Sequence, residues 1–475
     1  MKVEGEGEKV SSCFTRRCFI GAVAAAVATR SRGVFAAESP ILKIGVLSDP
    51  HIRTDPASAG ALRKEFARFS HEGVRAVVIS GDLCEVGTLT ELKNLTNAWQ
   101  EAFPGGRNAA GETVEPIVAF GNHDYHDASY LKAKPISEED RKLGILFNKD
   151  AAWKMLTGRS FEGEIYRRDI AGVTFIAAHW THFDQELADW LTAHKDEIPT
   201  DRPVFFVQHS HPRSTCFGKW YKASSTVNFE TLMKHPNFFV ISGHSHIANT
   251  YEDAIWQGGF VSMAAGGASG SGGRRYEYNV GVKPADVAKR GVRHMPPQDS
   301  GVAQIGSIVT VYPSRVTVSR WDHLHDEHVG EDWDLAFPFR HDAAHPFAIA
   351  ESAAAPEFPV GAKIAVEEHE GLIYPTQTSA RQVSFTFPCA ASVGPHSRVV
   401  DYRVEIVRAE TGEKVIERLV AQNLISLSES RTLKEPGRCV FGRDEMPEHV
   451  KLRVKVTPLN AGGKGGKQIQ KEFMI

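Results

Sequence analysis

The sequence has few cysteines and no long hydrophobic run. Only six of its 475 residues are cysteine, two of them (Cys13 and Cys18) in the amino-terminal segment, and none belongs to a CxxC pair. A structural zinc site made of thiolates is therefore not expected. The apolar run Gly21–Ala28 is too short to cross a bilayer core, and no later stretch qualifies, so we predict no transmembrane segment in the mature protein.

Two of the remaining cysteines lie in the same C-terminal region. Cys389 and Cys439 form either a disulfide, which an oxidising destination would permit, or two buried thiols. The sequence does not give their separation, so both alternatives stay open.

The chain also lacks a strong excess of either charge. Its formal net charge is −3, and residues 1–36 carry six Lys/Arg against three Glu, which leaves the remainder near −6. Without a basic surface field, dedicated nucleic-acid binding is not expected and a nuclease is disfavoured. The hydrophobic content of 42% and charged content of 24% are typical of a globular protein, and 475 residues suggest two or more domains.

The amino terminus predicts a cleaved export signal. An arginine pair in Thr15–Ile20 precedes the short apolar run, and a small-residue site follows at Val34-Phe35-Ala36, with cleavage after Ala36 or Ala37. This order is typical of the twin-arginine export route; a plain secretory signal or a short amphipathic helix is the alternative. We predict a signal peptide over residues 1–37 and an exported protein, periplasmic or extracellular.

Strand and helix patterns alternate after the signal. Short apolar runs predict five buried strands, at residues 41–47, 74–79, 117–120, 204–207 and 238–241. Helical spacing between them predicts an α/β domain over residues 38–335, with two packed sheets flanked by helices. Residues 336–359 are rich in Ala, Pro and His and indicate a linker, and short alternating strands predict a small β-sandwich over residues 360–475.

Metal-type side chains follow each of the five buried strands. They lie in Asp49–His51, Gly81-Asp82, Gly121–Asp124, Gln208-His209 and Gly243–His246. Each motif alone could be an ordinary polar turn. Ligands of α/β sheets, however, gather at the carboxyl ends of strands, so five such motifs together indicate one site. A further segment, His179–His182, also follows a strand and could line the cleft, although we expect a core or surface role for it.

These residue types suit the hydrolysis of a phosphoester. Two metal ions about 3.5–4 Å apart can activate a water and stabilise charge on the phosphoryl oxygens, and such a pair needs a shared carboxylate. Mixed imidazole and carboxylate ligands favour Zn, Fe or Mn, divalent or trivalent, over Mg or Ca.

In order, the five motifs resemble those of the calcineurin-like metallophosphoesterases, over about residues 41–322. The resemblance implies a four-layer α/β/β/α sandwich with a dinuclear metal site at its strand ends; the C-terminal domain would be a small all-β sandwich, immunoglobulin-like or fibronectin-III-like. The ligands implied for the first metal are Asp49, His51, Asp82 and His246. Those implied for the second are Asp82, Asn122, His209 and His244.

The resemblance also implies roles for two neighbouring residues. His123 would contact the phosphate and protonate the leaving group. Asp124 would orient His123, with a helix cap as its alternative role.

Two positions depart from the family pattern. The fourth motif has one extra residue, so His209, directly after its strand, is preferred as the ligand and His211 is the alternative. Glu85 stands where purple acid phosphatases carry a tyrosine ligand, so a tyrosinate–Fe(III) site is not expected.

We therefore predict a metallophosphoesterase acting on a phosphomonoester or phosphodiester in a small molecule, lipid or nucleotide. The alternative is an exported binding or adhesion protein with a vestigial site. Site completeness separates the two, and every expected ligand is present.

Overall fold

The computed structural model describes residues 38–125, 142, 144–216, 223–250, 252–269, 303–341, 352–373, 378–422 and 428–475. The predicted signal peptide, residues 1–37, lies outside this part of the chain, as do residues 342–351 of the predicted linker. Pro40–Ile475 form one compact unit, and the predicted domain boundaries at 335 and 359 stay predictions.

Strands dominate the described residues. They are β1 (Leu42–Leu47), β2 (Ala76–Ser80), β3 (Glu115–Ala119), β4 (Ile165–Ile170), β5 (Val173–Ala178), β6 (Val204–Val207), β7 (Phe238–Ser242), β8 (Ile255–Gln257), β9 (Val261–Ala264), β10 (Ile305–Val311), β11 (Arg315–Asp322), β12 (Glu327–His328), β13 (Trp333–Ala336), β14 (Ala365–Ile373), β15 (Thr378–Phe387), β16 (Asp401–Arg408), β17 (Lys414–Ala421), β18 (Gly437–Gly442), β19 (Leu452–Leu459) and β20 (Ile469–Phe473).

The α-helices of these ranges are α1 (Gly60–His71), α2 (Leu89–Ala102), α3 (Lys149–Thr157), α4 (Gln185–Ala193), α5 (Thr226–Leu232) and α6 (Glu429–Thr432). None of the helices in the described ranges combines the length and hydrophobicity that crossing a membrane requires.

The first sheet carries the first three ligand motifs. Its order is β12-β11-β10-β1-β2-β3, with β13 paired to β11. Strands β1, β2 and β3 are parallel, so their carboxyl ends meet at one edge. The run Ala76–Ser80 is buried at every position, as expected for a parallel strand covered on both faces. Helix α1 covers the outer face, where Phe69 packs against Gly45.

The second sheet carries the other two motifs, and its side chains alternate between two cores. Its order is β4-β5-β6-β7-β9-β8, with β5, β6, β7 and β9 parallel. Phe205 and Phe239 join the core shared with the first sheet. Phe206 and Phe238 join the core formed with α4 and α5. The order of layers is helix, sheet, sheet, helix, so the predicted α/β architecture is found.

A capping box holds the loop that follows Asp82. The Thr88 hydroxyl accepts a hydrogen bond from the Glu91 amide at 3.3 Å, and the Glu91 carboxylate accepts from the Thr88 amide at 3.1 Å. The same carboxylate accepts from the Val86 amide at 3.2 Å. Such a cap stabilises a helix by roughly 1 kcal/mol. Because Glu91 also binds the Val86 amide, the same residues hold the loop that follows Asp82.

The C-terminal region is strand-rich, with a three-stranded sheet β14-β15-β18 and a four-stranded sheet β17-β16-β19-β20. Residues of both sheets, among them Phe385, Phe441 and Val404, share one hydrophobic core, as in a β-sandwich. The immunoglobulin-like or fibronectin-III-like assignment stays a prediction. Cys389 and Cys439 are both buried free cysteines, which agrees with the second of the two alternatives for this pair.

Ion pairs join the C-terminal region to the α/β part. The Nδ1 of His396 lies 3.0 Å from Glu252 Oε1, and the His396 amide donates to Glu331 at 3.1 Å. Glu327 accepts from Arg431 Nε at 2.9 Å. Although Glu252, Glu331 and His396 are close enough to hold a metal ion, Trp333 Nε1 already donates to Glu252 at 2.6 Å. The group therefore acts as a polar contact between the two parts.

This contact predicts a pH-dependent stability. The hydrogen bond to Glu252 raises the pKa of His396 above its ordinary 6.5. The stabilisation is fully present below pH 6.5 and is lost as the pH rises through the raised pKa. We expect His396→Gln to lower the melting temperature more at pH 6 than at pH 9. His369→Gln, on β14, is the control and should give the same difference at both pH values; equal effects of His396→Gln at the two pH values would contradict the linkage.

Candidate metal centre

Five of the predicted ligands have strained backbones. The φ angles of Asp49, His51, Asp82, His244 and His246 are 53°, 44°, 51°, 70° and 53°. Left-handed conformations of residues other than glycine cost about 1–3 kcal/mol each and cluster at functional sites. Their concentration at the ends of β1, β2 and β7 marks this edge of the sheets as the site.

The first group of donor atoms comes from Asp49, His51, Asp82 and His246, which all lie within 4.8 Å of one another. Asp49 Oδ1 is 3.3 Å from His246 Nε2, and the two imidazole Nε2 atoms of His51 and His246 are 3.0 Å apart. His51 Nε2 lies 3.7 Å from Asp82 Oδ2. This is the set that the sequence predicted for the first metal.

The second group comes from Asp82, His209 and His244. His209 Nε2 lies 3.1 Å from Asp82 Oδ2 and 3.2 Å from His244 Nδ1. Asp82 belongs to both groups, so one carboxylate is placed between two sets of imidazoles. That arrangement is the one a shared, bridging ligand requires.

Asn122 supplies the test of whether these residues fit metal ions. Its Oδ1 is buried and makes no hydrogen bond with the described residues. A buried carbonyl oxygen without a partner costs about 1–3 kcal/mol, which metal coordination would offset. Because the next amide, that of His123, donates to Asp82 Oδ1 at 3.0 Å, Asn122 is held beside the shared carboxylate. The donor set therefore fits a pair of cations.

Two glycines allow the loops to approach this closely. A Cβ on Gly81 would lie 2.1 Å from His209 Nδ1, and a Cβ on Gly121 would lie 2.2 Å from Asp82 Oδ1. Any side chain there would displace a ligand. The Gly-Asp and Gly-Asn pairs of the sequence are thus a steric requirement of the site.

The two histidines of the fourth motif have different partners. His209 Nδ1 donates to the Ser80 carbonyl at 2.7 Å, which turns Nε2 towards Asp82. The ring nitrogens of His211 lie 2.7 Å from Ser242 Oγ and 2.9 Å from Ser245 Oγ. This geometry favours His209 as the ligand, as the sequence did.

The electrostatics of the site follow from two buried carboxylates. Burial raises the pKa of Asp49 and of Asp82, but nearby imidazoles outweigh it. His246, His209 and His51 lower the pKa of Asp49, and His209 and His51 lower that of Asp82. Burial likewise lowers the pKa of His209, but Asp82 and Asp49 raise it to about 9. The carboxylates are therefore ionised, and a buried pair of this kind requires cationic partners. With 34% of its side chain exposed, His246 opens the site to solvent.

The role predicted for Asp124 needs correction. Its carboxylate accepts three backbone amides at 2.8 to 3.1 Å, those of Leu83, Cys84 and Gly121. The Nδ1 of His123 is instead held by the Glu85 carbonyl, 2.8 Å away. Among the described residues, the Asp124 carboxylate contacts neither the His123 ring nor the start of a helix; it joins the loops after β2 and β3. His123 has its ring edge-on to His51, with centroids 4.5 Å apart, so it borders the first group.

For two residues near the ligands, Glu85 and Trp180, the sequence predicted no contact with a particular ligand. Glu85 Oε2 lies 3.3 Å from His51 Nδ1, so its carboxylate borders the first group of donor atoms. The indole of Trp180 packs against His209 and His244, with centroid distances of 5.7 and 5.5 Å. The position of Trp180 after β5 was the available signal. Its neighbour His179 is a core residue, as expected, and accepts from the Phe120 amide at 2.9 Å.

The fold and the donor set together define a metal-dependent phosphoesterase. The family whose model matches residues 42–248 is described as calcineurin-like phosphoesterase. The chain thus contains a calcineurin-like phosphoesterase domain and is a phosphoester hydrolase. No curated protein matches the chain.

Two solved structures are similar to part of the chain at low identity. One is a dimetal phosphatase from Danio rerio, with 13% identity, a TM-score of 0.37, and coverage of 63% of this chain and 100% of that chain. Another is a purple acid phosphatase from seeds of yellow lupin, Lupinus luteus, with 12% identity, a TM-score of 0.39, and coverage of 63% and 55%.

The shared position of Asp82 predicts how substitutions change metal content. We expect about two ions per chain in the wild type, loss of both in Asp82→Asn, and loss of about one in Asn122→Ala. Elemental analysis of the purified proteins measures this. Asn237→Ala, at a buried asparagine that bonds to Pro199 and Arg202, is the control and should keep both ions. Two ions in Asp82→Asn would rule out the bridge.

Proposed function

We propose that the protein is an exported enzyme that hydrolyses phosphomonoesters or phosphodiesters at a dinuclear metal centre. The observation that carries the proposal is the sharing of Asp82 by two groups of donor atoms. Asp49, His51, Asp82 and His246 would hold one ion, and Asp82, Asn122, His209 and His244 the other. The mixed imidazole and carboxylate donors favour Mn, Fe or Zn.

Two bound metal ions supply a water nucleophile at neutral pH and stabilise negative charge on the phosphoryl oxygens. The protein supplies the geometry. Gly81 and Gly121 let the ligand loops meet, and Asp124 joins two of those loops through backbone amides. Because Glu85 occupies the position of the purple-phosphatase tyrosine, a tyrosinate ligand is not part of the proposal.

His123 is proposed as the general acid. Its Nδ1–H donates to the Glu85 carbonyl, so Nε2 is the atom that would carry the proton for the leaving group. Burial lowers the pKa of His123, although Asp82 raises it. A phosphoryl anion bound beside the ring favours the protonated form, which prepares the acid when substrate is present.

The substrate is proposed to be a small-molecule, lipid or nucleotide phosphoester, and the site of action to be the periplasm or the extracellular space. The twin-arginine-type segment before residue 38 supports export, and the net charge of −3 is the reason for proposing no dedicated nucleic-acid partner. A vestigial site in a binding protein is the competing proposal. The complete donor set supports catalysis, and less than one ion per purified chain would reverse that preference.

The reaction class predicts activity that depends on metal. The metal-loaded protein should release product from p-nitrophenyl phosphate, from bis(p-nitrophenyl) phosphate or from both. Chelation should abolish the release and added Mn²⁺ or Zn²⁺ should restore it. The ratio of the two rates distinguishes monoesterase from diesterase. The proposal would be contradicted if the metal-loaded protein hydrolysed neither compound and no member of a wider phosphoester panel.

The acid role of His123 predicts an effect that depends on the leaving group. His123→Ala should reduce kcat about 10²- to 10⁴-fold for an alkyl phosphoester, whose alkoxide needs a proton, and much less for a p-nitrophenyl ester. Metal content should remain that of the wild type. His235→Ala, before β7 at the other end of the sheet, is the control. An equal loss for both esters would argue against acid catalysis.

A further inference from the structure

A buried histidine links two of the ligand loops. His211 follows β6, two residues after His209, and is fully buried. Its Nδ1 lies 2.7 Å from the hydroxyl of Ser242, the last residue of β7, and its Nε2 lies 2.9 Å from the hydroxyl of Ser245. Ser245 stands between His244 and His246. One imidazole therefore contacts the residue before the loop Gly243–His246 and a residue in the middle of that loop.

Each neutral tautomer of His211 can make both serine contacts, because a hydroxyl both donates and accepts. The Ile247 amide donates to Ser245 Oγ at 3.3 Å, and the Ser242 hydroxyl faces the Met263 carbonyl at 3.5 Å. With His211 neutral and protonated on Nδ1, Ser245 donates to Nε2, Nδ1–H donates to Ser242, and Ser242 donates to the Met263 carbonyl. Both ring nitrogens are used by serines, so His211 is arranged to hold the loop and not a metal.

The loop needs such support because it is strained. The φ angles of His244 and His246, 70° and 53°, are unfavourable for residues with a side chain and persist only where surrounding contacts enforce them. The His209 carbonyl accepts from the Gly243 amide at 2.9 Å, and the Asp49 carboxylate accepts from the His244 amide at 3.0 Å. His211 adds the restraint on the side chain of Ser245.

We propose that His211 is a positioning residue that fixes the loop Gly243–His246, so that His244 and His246 present their nitrogens to the two metal positions. The extra residue of the fourth motif makes this possible, because it places a second histidine under the neighbouring loop. The inference rests on the proposed two-metal function. Loss of a side chain that orients metal ligands typically weakens metal binding about 10- to 100-fold.

A double-mutant cycle tests the proposal. Mn²⁺ is titrated by calorimetry into the metal-free full chain of the wild type, His211→Ala, Ser245→Ala and the double variant. Each single variant should weaken binding about 10- to 100-fold. The double variant should bind Mn²⁺ no more weakly than His211→Ala, because the two substitutions remove the same contact between His211 and Ser245. His211→Gln, whose amide both donates and accepts hydrogen bonds, should recover part of the affinity.

His323→Ala is the matched control. His323 is also buried, 4% exposed, and follows β11 on the first sheet. Its replacement should lower the melting temperature without changing the Mn²⁺ affinity, whereas His211→Ala should change both. If His211 had a merely structural role, His211→Ala would lower the melting temperature and leave the Mn²⁺ affinity unchanged.

Three outcomes decide the matter. A wild-type Mn²⁺ affinity in His211→Ala overturns the proposal. Additive losses of Mn²⁺ affinity in His211→Ala and Ser245→Ala also overturn it, because His211 would then act independently of Ser245, as a metal ligand would. In either case a wild type that binds two ions and hydrolyses a phosphoester leaves the proposed function intact. A wild type that binds no Mn²⁺, Zn²⁺ or Fe overturns both proposals.

Discussion

The structure depends on the burial of two carboxylates beside each other. Asp49 and Asp82 are 0% and 1% exposed, and an isolated buried charge costs far more than the 5–15 kcal/mol by which a whole protein is stable. The charge is tolerated because imidazoles at the ends of β1, β6 and β7 surround it and because metal ions would complete the balance. Every neighbouring loop is arranged around this constraint, including the glycines whose missing side chains let the ligands meet.

The strain of the ligand loops is carried by bonds between successive strand ends. The Asp49 amide donates to the Gly81 carbonyl at 3.0 Å, and the His51 amide donates to the Asp82 carbonyl at 3.1 Å. Asp124 joins the next pair of loops in the same way through its carboxylate. Each loop is therefore held by the one beside it, and parallel strands are needed because they bring these ends to one edge.

Much of this was readable from the sequence, because apolar runs and the residues that follow them are local signals. The strand predicted at 204–207 is β6 itself. The donor atoms of Asp49, His51, Asp82 and His246 lie together, as do those of Asp82, His209 and His244, while the ligand roles themselves stay predictions. The contacts that sequence reasoning missed join residues far apart in the chain. The partner of His123 is a backbone carbonyl, that of Glu85, which no side-chain pattern can reveal. The true contacts of Asp124 are also amides, for the same reason.

The fourth motif shows how surroundings divide roles between identical side chains. His209 and His211 are two residues apart and both fully buried. Beside Asp82 and Asp49 the pKa of His209 rises to about 9 despite burial, so this ring belongs to a charged site. Burial lowers the pKa of His211 to about 3, and its serine partners suit a neutral ring. Residue type admits both histidines as ligands, and only the three-dimensional neighbours separate an imidazole that meets carboxylates from one that holds a loop.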